Sequence, residues 1–162
     1  MSSRNHQLQI RVSESQKEAI RTAARRAGVG MSEWVLARLF PEPAERLTAL
    51  ARRADADGSP AAWAEIIELL QRRTRVDFQA AVRDLQVEGL SRFTANYLAA
   101  LVEETADRLG ELPPPWTARV APLPSPWFGT ELRRVREHLL LSAPVAFRRR
   151  NLFVDAGVGD RV

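Results

Sequence analysis

The feature that most constrains this chain is a strict alternation near its start, Gln7-Leu8-Gln9-Ile10-Arg11-Val12. A two-residue period puts Leu8, Ile10 and Val12 on one face and Gln7, Gln9 and Arg11 on the other, the pattern of a half-buried strand. Ser13-Glu14-Ser15-Gln16 follows at once. It reads as a capping box, in which the Ser13 hydroxyl accepts from the Gln16 amide and the Gln16 side chain reaches back. A helix is predicted from about Glu14 to Ala27. Ala19, Ile20, Ala23, Ala24 and Ala27 share its inner face, with Arg21, Arg25 and Arg26 mainly outside. Gly28-Val29-Gly30 ends it, with Gly28 suited to the left-handed position past the last turn. Ser32 is then expected to cap a second helix, from Glu33 to about Phe40. Its Trp34, Val35, Leu36, Ala37, Leu39 and Phe40 are apolar on nearly every side, so the helix needs cover all round. Forty residues cannot supply that cover alone. A second copy of the chain is the simplest source.

A lone strand leaves its backbone donors and acceptors unsatisfied. Two copies paired antiparallel satisfy one edge each and form a two-stranded ribbon, which fits the major groove of duplex DNA. On the outer face of such a ribbon, Gln can pair bidentately with adenine and Arg with guanine. Gln7, Gln9 and Arg11 are therefore the candidate base readers. Charge points the same way: residues 1–40 hold seven bases and three acids, whereas residues 41–162 hold seventeen of each. A local basic excess draws polyanions, although a chance surplus on a solvated surface explains the charge alone equally well. A polar strand on an ordinary sheet edge would account for Gln-x-Gln-x-Arg in isolation. The capping box, glycine turn, apolar second helix and local charge together favour DNA reading.

One strand followed by two helices, with Gln-x-Gln-x-Arg facing outward, resembles the ribbon-helix-helix domain of Arc/MetJ-type antitoxins and repressors. Within Gln7–Phe40 the likeness rests on Val12-Ser13, Gln16-Lys17, Gly28-Val29 and Ser32-Glu33, which match the order and spacing of motifs in bacterial antitoxins. It covers about one fifth of the chain. The resemblance implies that the start of the second helix holds a DNA phosphate. Met31, Ser32 and Glu33 would supply free amides there, and the helix dipole favours an anion. Glu33 departs from what a phosphate site would favour, though an acid in the first turn stabilises the helix itself. Arg4 is a candidate for backbone contacts. The partners implied are double-stranded DNA with a palindromic operator, a second copy of the chain and a protein toxin.

The domains expected are 6–40, the ribbon-helix-helix unit; 44–110, a helical domain; and 111–162, a proline-rich linker with a partner-binding segment. Helices are predicted over Ala44–Ala54, after Ser59-Pro60, over about Asp77–Glu88, and from a Ser91 cap to Leu109 with Gly110 as the stop. Six of the ten prolines fall between Pro113 and Pro126. Trp116, Trp127 and Phe128, in or just after that stretch, either anchor a partner or fold back on the protein's own apolar surface. Arg148, Arg149 and Arg150 form either an anion or partner site or a solvated run. A further basic helix, with Leu132, Val135 and Leu139 inside, carries His138.

Little suggests catalysis. His6 and His138 are the only histidines and have no metal-ligand spacing, and there is no Walker A loop or G-x-S-x-G. Acids such as Glu65/Glu68 and Glu103/Glu104/Asp107 read as solvated helix faces. The chain has no cysteine. No catalytic site, metal or cofactor is expected. No apolar run reaches the ~18 residues of a membrane span, and a cytoplasmic location follows by default.

The fold expected is mainly α, a ribbon-helix-helix unit followed by a helical bundle and a proline-rich extension. The function expected is that of an antitoxin, repressing its own operon as a DNA-bound dimer and covering a toxin with its C-terminal region. A regulator with a partner- or ligand-sensing bundle, or an interaction adaptor that never touches DNA, are the alternatives; an enzyme stands furthest from the pattern.

Overall fold

The structure, a computed structural model, describes residues 9–39 and 43–155. The chain divides into two compact units, Met1–Pro41 and Glu42–Val162.

In the first unit, α1 spans Glu14–Arg26 and α2 spans Met31–Leu39. The capping box is present: the Gln16 amide donates to Ser13 Oγ at 3.2 Å, and the Ser13 amide donates to Gln16 Oε1 at 2.9 Å. Two amides past α1 turn back onto its last carbonyls. That of Gly28 donates to Arg25 O (3.2 Å) and that of Val29 to Ala24 O (3.1 Å). These are the paired bonds of a Schellman stop, and they require the left-handed backbone that Gly28 adopts at φ 70°. The sequence expectation for α2 is corrected at its start. The helix opens at Met31, with the Trp34 amide bonded to Gly30 O at 2.8 Å, so Ser32 lies inside the first turn rather than at the cap. The two helices pack against each other.

The second unit is built around α6 (Arg92–Leu109). Leu98, Ala99, Ala100, Leu101, Val102 and Ala106 are all buried along it, and helices α3 (Pro43–Asp57), α4 (Pro60–Gln71) and α5 (Arg75–Val82) pack on it. Alanines at successive turns let those neighbours approach closely, which suits a central helix covered on several sides. Ser59 caps α4, Ser91 caps α6, and Gly110 stops α6 in the left-handed region (φ 64°). Helix α5 is shorter than the predicted 77–88, ending at Val82 before a turn.

The proline-rich stretch does not form a separate linker. Helix α7 (Pro115–Arg119) buries Trp116, whose indole Nε1 donates to Val82 O at 2.8 Å. Strands β1 (Trp127–Phe128) and β2 (Leu152–Phe153) pair in parallel, flanking α8 (Arg133–Ser142) and α9 (Val145–Arg148) in sequence. Trp116, Leu123, Phe147, Leu152 and Val154 join one core with α3–α6. Residues 111–155 thus complete the bundle that 44–110 begins. Tyr97, half-buried against Trp63, Phe93 and Phe147, has its phenol pushed up to about 12 by burial. Among the described residues, no helix is long and apolar enough to cross a membrane.

Candidate nucleic-acid interface

The first unit carries the residues expected to read DNA. Gln9–Ser13 belongs to no regular element in this single chain. A strand needs a partner to hydrogen-bond to, and the partner expected here is another copy. Ile10 and Val12, predicted to point inward, are 55 % and 42 % exposed, and Val29 and Met31 near the turn are exposed as well. Trp34, Val35 and Leu36 of α2 are only half-buried. Within residues 9–36, the part of this unit whose side-chain burial is described, Ala24 is the one buried apolar side chain. A single chain therefore leaves uncovered Ile10 and Val12, two of the three residues that the alternation marks as interior.

Gln9 and Arg11 are exposed. Arg4 and Gln7, together with Leu8, lie outside the described residues. Met31, Ser32 and Glu33 are exposed in the first turn of α2. The helix ladder begins with the Trp34 amide, so the three preceding amides have no acceptor within the helix. On α1, Glu18 pairs with both Arg21 and Arg25, at 2.5 and 3.3 Å, which tempers the basic surface of that helix.

The six residues expected to meet a partner are not one group. Trp116 is buried in the bundle, and its indole bond to Val82 marks it as a core residue. Arg150 is buried too, at 4 % exposure. Its guanidinium pairs with Glu103 through Nη2 at 2.5 Å and Nε at 3.3 Å, and also donates to Thr117 O, Val120 O and Asn96 Oδ1. A guanidinium so enclosed cannot meet a second molecule, and the partner role expected of Trp116 and Arg150 is corrected accordingly. Trp127 is exposed and packs edge-on against Phe93, while Phe128 is half-buried and stacks on Phe153. Arg148 and Arg149 are exposed.

The Arg150–Glu103 pair was not legible in the sequence, where Arg150 closes a run of three arginines. The one signal is the apolar Leu152-Phe153-Val154 that follows just after Asn151, which draws the end of the run inside. Leu132, just before α8, and Val135 on it are exposed, contrary to the inward placement expected; only Leu139 of that helix is buried. His138 is exposed. Among the described residues, no group of three or more His, Cys, Asp or Glu is placed to hold a metal ion.

The first unit is thus a pair of helices with Ile10 and Val12 exposed before them and Val29 and Met31 exposed at the turn between them. Residues 2–55 match the NikA-like family, described as mobilization protein NikA. The match covers a third of the chain, taking in the first unit and most of α3. No curated protein and no solved structure matches the chain.

Proposed function

We propose that the chain is a dimeric DNA-binding protein that reads duplex DNA with its first forty residues and serves DNA mobilisation. The observation that supports this is a coincidence. The stretch matching a mobilization protein family contains the unit whose apolar arm lacks cover in a single chain. Antiparallel pairing of two copies near residues 9–12 buries Ile10 and Val12 and satisfies the facing backbone edge of each arm. The same pairing sends Gln9 and Arg11 outward to base edges, with Gln7 on the same face by alternation. The first turns of two α2 helices then supply amides to flanking phosphates. Mobilisation is an operation on DNA, and a two-fold protein favours a palindromic site. The family match lends no support to a toxin-neutralising role.

The test is fluorescence anisotropy of the full chain with two duplexes, its own upstream region and the transfer origin of its element, across a salt series. Affinity for one duplex should fall linearly on a log–log plot against salt, as phosphate contacts demand. Replacing Gln9 and Arg11 together by Ala should cost about 1–3 kcal/mol for each bidentate base pairing removed, with the dimer intact. An unchanged preference for the cognate duplex would refute base reading by the arm. No binding to any duplex would favour an adaptor that never touches DNA.

A further inference from the structure

Two arginines of α1 share a single carboxylate. Glu18 accepts from Arg21 Nη1 at 2.5 Å and from Arg25 Nη2 at 3.3 Å. Arg25 also donates to Thr22 Oγ1 at 3.4 Å. Spacings of three and seven residues set Glu18, Arg21 and Arg25 along one face of the helix. Each of the three side chains is at least 43 % exposed, so this face is open to solvent. One acid thus occupies two of the cations that make residues 1–40 basic. Glu14 lies on the same face, one turn nearer the arm, and its ion pair is with Lys17, at 4.0 Å.

An exposed ion pair adds little to stability, and α1 is already capped at Ser13 and stopped at Gly28 by bonds of its own. The larger consequence of the cluster is for anions that approach the helix. A guanidinium meets a phosphate through the same forked donors that it offers a carboxylate. Arg21 and Arg25 can therefore reach a polyanion only by leaving Glu18, whose charge then faces that polyanion unpaired. The rise of a helix places Glu18 roughly 8 Å along α1 from Ser13, where the arm ends. That distance is about one Debye length at physiological salt, so DNA held on the arm feels the Glu18 charge.

We propose that Glu18 is a positioning residue that withholds Arg21 and Arg25 from a polyanionic backbone and so suppresses sequence-independent DNA binding. Its role in selecting a site rests on the reading of the first unit as a DNA-binding unit. On a preferred site the arm sets the register through base edges, and contacts from this face of α1 to phosphate are not needed. On other DNA, attraction to phosphate supplies essentially all of the affinity. An acid that lowers the second more than the first raises the ratio between them, and that ratio selects one site among many competitors.

The experiment compares Glu18→Gln with Glu14→Gln in the full chain. Both remove one charge from the same helix face, and Gln keeps the helix propensity of Glu, so circular dichroism should be unchanged. Each protein is eluted from immobilised heparin with salt, and its affinity for the preferred duplex and for a scrambled duplex of equal length is followed across a salt series. Glu18→Gln should elute at higher salt than Glu14→Gln. It should bind the scrambled duplex roughly three- to tenfold more tightly than the unaltered chain at about 0.1 M salt, with a log–log slope steeper by about 0.9 for each arginine that gains a phosphate. The preferred duplex should gain less. In a chain that also carries Arg21→Ala and Arg25→Ala, Glu18→Gln should gain no more than Glu14→Gln does. Equal gains for the two Gln variants would overturn the proposal, as would a gain that survives loss of both arginines or one equal on both duplexes. Heparin is a polyanion without base edges. A protein that binds neither duplex yet shows the Glu18 effect on heparin would refute the DNA reading and support the withholding; no effect on heparin would refute the withholding itself.

Discussion

The two units of the molecule differ in how they satisfy their own sequence. The second encloses large side chains such as Phe78, Phe147, Leu98 and Ile66 completely and pairs a buried arginine, Arg150, with five acceptors. Within residues 9–36 of the first, only Ala24 is buried, although α1 is well capped and the turn after it is closed by paired bonds. Good local structure with little interior is the mark of a unit whose core forms between molecules. The difference teaches that capping and turn chemistry can specify two helices that enclose little between them; in the proposed dimer, a second chain supplies the missing cover.

The largest test of that contrast is Arg150→Ala. Removing the guanidinium leaves the Glu103 carboxylate, Asn96 Oδ1 and two carbonyls without their donor in the interior. A loss of about 3–5 kcal/mol is expected, measured as a lower denaturant midpoint of the second unit, with arm-dependent dimerisation unchanged. Equal effects on both units would mean that they fold as one and would break the contrast.

A smaller effect is expected from Ser13→Ala. It removes one half of the capping box and should cost about 1 kcal/mol of helix stability. Because residues 9–36 bury little, the cost should surface as weaker association in the proposed dimer at fixed temperature, not as a shift in the bundle's unfolding.

The smallest concerns acid. The Asp55 carboxyl receives hydrogen bonds from Ser91 at the start of α6, at 3.1 Å to either oxygen. Bonds from Ser91 and Thr94 hold its pKa below the ordinary 3.8. A depressed carboxyl adds stability that is complete above its unfolded value and lost as pH falls through its lower folded value. Bundle stability should therefore decline below about pH 4, and Asp55→Asn should flatten that decline while leaving DNA affinity at neutral pH alone.

Much of the local structure was legible in the residues. Ser13, Ser59 and Ser91 each open a helix, and Gly28 and Gly110 each close a helix end in the left-handed region, because caps and stops are decided by near neighbours in sequence. What escaped depends on distant partners. Trp116 sits in a proline-rich stretch that suggests a surface anchor, yet Val82, far away along the chain, accepts its indole N–H. Arg150 ends a run that suggests solvation, yet Glu103, Thr117 and Asn96 converge on it from α6 and α7. Of the proposed DNA contacts, Gln9 and Arg11 stand out by their alternation with Ile10 and Val12. The proposed pairing lies between two chains, so no property of one chain could reveal it.

The most direct measurement places a nitroxide at the outer face of the arm. The chain has no cysteine, so a single Gln9→Cys labels one site per chain. Antiparallel arms bring the two labels near the two-fold axis, with backbones roughly 5 Å apart, and strong dipolar broadening between chains should result. The broadening should vanish when labelled protein is diluted into an excess of unlabelled chain. A narrow spectrum in the undiluted protein, with cognate DNA present, would mean that the arms do not pair and that the protein does not read DNA through a two-chain ribbon.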